Sequence, residues 1–406
     1  MRILSLDGGG TWALLQIQAL IELFPRARTG RDVLRQFDYA AANSGGTLVL
    51  AGLIEDLPLL ALRDLFLDET ARKAIFVRLP PWKRVLRIFG FGPQYDADDK
   101  LAGIARYAPQ TGNRPISELG AAVSATTGRP FQFLMLSFDY DRRRAVFQRS
   151  DAGSAAASNA APAVPSLAQA VHASTNAPVN YFDAPAAFAL WDGDIGTSRG
   201  RRFWDGAIGG YNNPALAALV EVMARPDRPA LSDVTLLSIG TANVALPLAT
   251  QYPGADPLVV EPYASQSLIH DVGQIATAVL DDPPDAASFI AHVWLGGRLP
   301  DAAHPVVENG PVVRLNPLVQ PLRTSSGTLA LPGGMDATTF RRLRELPMDA
   351  VAQDDVLLIR SFGEQWLAGL IPNQPVRANS YSLAPEIGFA RYRPAANAWL
   401  ARNPWR

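Results

Sequence analysis

Ile3-Leu4-Ser5-Leu6-Asp7-Gly8-Gly9-Gly10-Thr11, joined by one helix to a second break, Ala42-Asn43-Ser44-Gly45-Gly46, decides how this chain folds. Ile3 to Leu6 is a short apolar run, the pattern of a buried parallel strand, and Asp7 to Thr11 ends it. Leu14, Ile17, Ile21 and Phe24 then recur at helical spacing, with Leu20 beside them. Phe37 to Ala42 reads as a second strand, Asn43 to Gly46 breaks it, and Thr47 to Ile54 reads as a buried helix. Further strands are expected at Phe131–Phe138, Val234–Ile239 and Val312–Leu315. Strands that alternate with helices predict an α/β fold, a three-layer α/β/α sandwich around a mainly parallel central sheet.

The composition narrows the function classes. The 406 residues are 48% apolar and 18% charged, the reverse of a disordered chain. Lys+Arg is 37 and Asp+Glu 38, a formal net charge of −1 that argues against nucleic acid as the main partner. The absence of cysteine excludes disulfides, thiolate catalysis and cysteine-ligated metal. Asp7 follows the first apolar run too closely for a signal peptide. The longest apolar runs, such as Thr47–Ile54 and Pro214–Val220, fall well short of the roughly 20 residues of a membrane span. A soluble, cytoplasmic protein is therefore expected. Residues 1–370 read as one domain and residues 371–406 as a C-terminal extension with no assigned role; the Ser/Ala-rich run Ser150–Pro165 reads as a loop.

Loops that follow adjacent parallel strands lie at the same carboxyl edge of a sheet, where open α/β folds bind ligands. Gly8-Gly9-Gly10 and Ser44 are therefore expected close together. Ser44 stands between a strand and a helix with small residues two places either side, Ala42 and Gly46, as a nucleophile elbow requires. An ordinary glycine-rich turn with an incidental serine has the same local sequence. Three successive glycines at a helix start expose N–H groups suited to a phosphate or to the oxyanion of an acyl transfer. Of the four histidines, His172, His270, His292 and His304, none sits at a strand end. Asp205 does, in Phe203-Trp204-Asp205-Gly206-Ala207, ahead of a helix from Ala215. It is the candidate base, provided that burial raises its pKa; a solvated loop aspartate is the other reading.

Together these stretches resemble the patatin-like phospholipases. Asp7-Gly8-Gly9-Gly10 is similar to that family's glycine-rich oxyanion loop, Phe37 to Gly46 to its strand and elbow, and Asp205-Gly206-Ala207 with Asn212-Asn213-Pro214 to its aspartate element. Ala173-Ser174-Thr175-Asn176-Ala177-Pro178 and Leu237-Ser238-Ile239-Gly240-Thr241 agree as well. The resemblance implies a patatin-like fold and a lipid acyl hydrolase of the phospholipase A or lysophospholipase type, acting on a lipid or lysolipid. It implies a dyad of Ser44 and Asp205, an oxyanion hole at Gly8, Gly9 and Gly10, and no cofactor or metal. Two departures are visible. Thr11-Trp12-Ala13 stands where the family has any residue, arginine and glycine, so no headgroup-binding arginine carries over. Gly45 replaces the usual threonine or alanine, which is expected to loosen the elbow.

Other classes stay open. An acyltransferase would use the same acyl-enzyme, and a non-catalytic member would use the fold for binding. A sugar kinase of the actin–hexokinase type shares the glycine loop but needs a hairpin where a helix is predicted. Trp82 to Phe91 carries Lys83, Arg84 and Arg87 among bulky apolar residues, either a peripheral membrane contact or an irregular surface segment. His172 is read as structural, and Asp98-Asp99 and Asp281-Asp282 as solvated.

Overall fold

Among the described residues, the eight strands of the main sheet are β1 (Arg2–Leu6), β2 (Tyr39–Ala42), β3 (Gln132–Asp139), β4 (Arg144–Arg149), β5 (Ala186–Asp192), β6 (Thr197–Asp205), β7 (Thr235–Ile239) and β8 (Val312–Leu315), and two short two-stranded ribbons lie apart from it. The main sheet has the order β5-β6-β3-β2-β1-β7-β8, with β4 also paired to β3. The run β3-β2-β1-β7-β8 is parallel throughout, and β4, β5 and β6 are added antiparallel. The computed structural model describes residues 1–80, 93–151, 164–178, 181–192, 197–243, 286–324, 328–379 and 384–406. The segment Trp82–Phe91, His270 and Asp281-Asp282 lie outside them, as does most of Ser150–Pro165.

The helices are α1 (Leu14–Leu23), α2 (Gly30–Leu34), α3 (Gly45–Ile54), α4 (Leu59–Leu67), α5 (Glu69–Ile75), α6 (Ala97–Tyr107), α7 (Ile116–Thr127), α8 (Leu167–Ser174), α9 (Ala215–Met223), α10 (Ala337–Glu345), α11 (Gln353–Leu367) and α12 (Tyr392–Arg402). Strand alternation sorts them into two layers. Leu4, Leu6, Ala40, Ala42, Met135 and Ile239 point to one face, into a core with α1, α3, α11 and α12. Ile3, Tyr39, Ala41, Leu134 and Leu236 point to the other, against α9 and the helical stretch 286–294. The three-layer α/β/α fold with a mainly parallel sheet is thus the architecture found.

The strands expected at Phe37–Ala42, Phe131–Phe138, Val234–Ile239 and Val312–Leu315 form within a residue or two of those bounds. Because α1 follows β1 and β2 returns parallel to it, the hairpin of an actin–hexokinase loop is absent at this position. Buried polar groups then fix the strand ends. Gln16 on α1 is fully buried and donates to the carbonyls of Asp7 (2.9 Å) and Ile239 (3.0 Å), so the ends of β1 and β7 are held from one side chain. Among the described residues no helix is long and apolar enough to cross a membrane.

The C-terminal residues pack into the first core. Trp399 of α12 is 1% exposed and stacks on Phe37, centroids 5.8 Å apart, and Tyr392 donates through its hydroxyl to the Ala19 carbonyl at 3.2 Å. Truncating a buried aromatic of this kind costs about 3–5 kcal/mol through lost transfer energy and the cavity left behind. Trp399→Ala should lower unfolding free energy in urea by that amount, measured by circular dichroism; a loss below about 1 kcal/mol would show that α12 contributes little to the core.

Candidate active site

Ser44 sits between β2 and α3 with φ 47° and ψ −125°, a conformation that a residue with a side chain adopts only under constraint. Backbone packing supplies the constraint. A Cβ on Gly46 would lie 2.4 Å from the Leu6 carbonyl oxygen, and one on Gly45 would lie 2.5 Å from that of Gly10. The end of β1 and its glycine loop therefore press directly on the first turn of α3. Gly45 does not loosen the elbow, as was expected; it is the residue small enough to let the glycine loop in.

The loop meets the serine itself. A Cβ on Gly8 would come within 2.9 Å of the Ser44 Cβ, so the two glycine-rich breaks are brought together as predicted. Gly9 and Gly10 have φ of 154° and 55°, and in that conformation the loop passes against Thr241 and the Met348 carbonyl. The N–H of Gly8 is already bound to the Asn212 carbonyl at 2.9 Å. This narrows the expectation for the loop, because a spent N–H cannot hold an oxyanion. Gly9 and Gly10 have no such backbone bond among the described residues.

Asp205 is the last residue of β6 and reaches the same place through strand pairing. β3 bonds along one edge first to β2, through Gln132–Met135, and then to β6, through Ser137–Asp139. Asp205, opposite Ser137, therefore stands two positions beyond Ala42, opposite Met135. Asp205 is 3% exposed. Its Oδ1 accepts from Asn43 Nδ2 (3.1 Å) and from the Ala207 N–H (2.9 Å). Burial raises its pKa above the usual carboxylate value; the Ser44 hydroxyl, acting as a hydrogen-bond donor, opposes that rise, followed by the Ala207 N–H, Asn43 and the charge of Lys100.

The stretch Ser174-Thr175-Asn176 ties the pair together. Ser174 Oγ accepts from the Ser44 N–H at 3.0 Å, and the Asn176 carbonyl accepts from the Asp205 N–H at 3.0 Å. Thr241 donates through its hydroxyl to the Gly8 carbonyl. Neither described buried histidine bonds to Ser44 or Asp205. His172 is 2% exposed and pushed down to about 2, first by burial and then by the Lys100 cation, so it is neutral. His292 Nε2 meets the Arg298 carbonyl at 2.9 Å, and His304 lies at the surface beside Asp301.

Two charged residues at the site were not singled out from sequence. Arg314 on β8 pairs with Asp7 at 2.6 Å, both nearly fully buried, and also donates to Ser238 Oγ at 2.7 Å. It anchors the residue that opens the glycine loop. Trp12, where the family pattern has arginine, is 7% exposed, packs edge-on to Phe362 and donates to the Pro347 carbonyl. Lys100 on α6 has no solvent exposure. Its signal was legible: Ala97, Lys100, Leu101 and Ile104 recur at three- and four-residue spacing, which puts the lysine on the buried face.

Ser44 opens into a cleft lined by Gly10, Gly45, Leu48, Phe76, Tyr181 and Asp349. Gly10, Leu48, Ile75 and Phe76 also wall a second, apolar cavity of about 80 Å³, whose other lining includes Leu62, Phe66 and Ile104. The two spaces adjoin, with those residues as their common wall.

A sequence model described as patatin-like phospholipase matches residues 4–219, slightly more than half of the chain. Over 67 residues the chain is 36% identical to an intracellular phospholipase A2 of Caenorhabditis elegans, a match that spans 16% of this chain and 6% of that protein. Among solved structures, VipD from Legionella pneumophila aligns over 90% of this chain and 66% of its own, with 11% identity and a TM-score of 0.34. Human GIVD cytosolic phospholipase A2 aligns over 37% of this chain and 22% of its own, with 16% identity and a TM-score of 0.24. With the family match spanning β1 through α9, and so both glycine-rich breaks and Asp205, the chain belongs to the patatin-like phospholipase family.

Proposed function

We propose that this chain is a lipid acyl hydrolase that cleaves carboxylic esters through Ser44 and Asp205. The observation that carries the reading is the strained Ser44 at the head of α3, next to Asn43, whose side chain holds the buried Asp205 carboxylate at 3.1 Å. Ser44 Oγ attacks the ester carbonyl as its proton passes to Asp205. Gly9 and Gly10 supply backbone N–H groups to the oxyanion, while Gly8 braces the loop on Asn212. Collapse of the tetrahedral intermediate expels the alcohol, which takes the proton back from Asp205. Water, deprotonated by Asp205, then attacks the acyl-enzyme, and Ser44 Oγ leaves with that proton from Asp205 as the fatty acid is released. The apolar cavity that adjoins the Ser44 cleft supports a lipid or lysolipid substrate, since an acyl chain needs apolar walls.

A carboxylate is a weak base for a hydroxyl, and burial compensates by raising its proton affinity. Because the working form is deprotonated, activity is present above the raised Asp205 pKa and falls as pH drops through it. The acid limb of kcat/KM for a soluble short-chain ester should therefore lie above the ordinary aspartate value. A limb centred at or below that value would remove Asp205 as the base.

Ser44→Ala should abolish hydrolysis of an activated ester and labelling by a fluorophosphonate, with circular dichroism unchanged. Asp205→Asn keeps the shape and the ability to accept hydrogen bonds but loses nearly all turnover. Single Gln variants of His172, His270, His292 and His304 should stay within about tenfold, roughly 1.4 kcal/mol of barrier. A folded histidine variant as inactive as Asp205→Asn would establish an imidazole base instead.

A further inference from the structure

Lys100 is one of three lysines among 37 cationic side chains, and it is placed in full burial beside the candidate base. Its ammonium donates to Asn176 Oδ1 at 2.8 Å and to the His172 carbonyl at 3.3 Å, and the Phe182 ring covers it at 3.8 Å from the centroid. Among the described residues no carboxylate lies within 4 Å of the amine, so it has no direct ion-pair partner. Burying an ammonium without one is costly, and a methionine would fill the same space without that cost. The bridge to the site is Asn176. Its side-chain oxygen holds Lys100, its amide nitrogen donates to the Ala184 carbonyl at 2.7 Å, and its backbone carbonyl receives the Asp205 N–H at 3.0 Å.

We propose that Lys100 is a positioning residue for the Ser44–Asp205 pair, its buried ammonium acting as the counter-charge that faces Asp205 across Asn176. The inference rests on the dyad reading above and adds to it the group that keeps the base charged in a dry site. The neighbouring elements leave this role to Lys100. From α8 the imidazole of His172 faces the amine and is neutral. From α5, Arg72 is bound to the Phe66 and Val351 carbonyls and to Gln353, and Lys73 pairs with Glu69 at the surface. The end of β6 contributes Asp205. Burial pulls the Lys100 pKa well down and the Asp205 charge pulls it back up, while the same pairing lowers Asp205 against its own burial.

The test compares the full-length parent with Lys100→Met and Lys100→Gln, following the rate of fluorophosphonate labelling at Ser44 against pH. Glutamine keeps a donor for Asn176 and removes the charge. Both variants should move the acid limb upward by about one pH unit or more, with labelling at high pH within a few-fold of the parent. A Lys100→Gln profile that coincides with the parent's would overturn the proposal and leave Lys100 a hydrogen-bonding strut. A reciprocal measurement needs no change at Lys100. With Lys73→Arg and Lys83→Arg, a ¹⁵N-lysine-labelled chain gives one side-chain signal, and adding Asp205→Asn should lower its titration midpoint by about one pH unit or more. An unchanged midpoint would overturn the coupling even if the Lys100 variants do not fold. Failure of the dyad reading is separate: it appears as absent Ser44 labelling in the parent, whatever the lysine titration shows.

Discussion

The contact on which the site depends is backbone against backbone, where the end of β1 meets the first turn of α3. Gly45 and Gly46 leave no room for a Cβ because the Leu6, Asp7 and Gly10 backbone occupies that space. That approach fixes the strained angles of Ser44, brings Gly8 onto its Cβ, and leaves Gly9 and Gly10 beside it. The cohesion comes from elsewhere. Gln16 holds the ends of β1 and β7, and the buried Asp7–Arg314 pair joins the loop to β8. Breaking such a pair by removing one partner strands a charge in the core, so the loop is held by groups that are expensive to lose.

Much of this was legible in sequence, for an identifiable reason. The β1–loop–α1 and β2–elbow–α3 units announce themselves through glycines that interrupt apolar runs, and handedness then places both loops at one edge. Asp205 was found because an apolar stretch and a glycine-rich turn bracket it. The antiparallel strands were harder. Thr197-Ser198-Arg199-Gly200-Arg201-Arg202 in β6 has neither apolar alternation nor β-branched enrichment, and its pairing with β5 and β3 supplies the order that its own residues do not. Arg314 could not be assigned, since its partner lies some three hundred positions away. Gly45 shows where the pattern stops short: by comparison with the family it reads as a loosening departure, and in the structure it is the condition for close approach.

The electrostatics of the site follow one theme, charge held in a dry place by few partners. Asp205 is buried with two hydrogen bonds to its Oδ1, Arg314 and Asp7 neutralise each other, and Lys100 is satisfied by carbonyl oxygens and a ring face. His172, close by, is kept neutral by the same dryness. In water these groups would interact weakly; under the helices their effects on one another are amplified.

The edge of β3 that β2 and β6 share in succession has a further consequence. Ser44 rides on the parallel centre of the sheet, whereas Asp205 rides on a ribbon of two antiparallel strands at its margin. The two halves of the site therefore belong to parts of the sheet that the general rule of non-uniform local stability allows to open separately. Fraying of β5 and β6 would carry Asp205 away while the parallel core stayed intact, and a one-residue slip of β6 would turn its carboxylate to the opposite face. If Asp205 is the base, loss of activity on heating and loss of the fold are then separable events, and the first reports on the margin of the sheet.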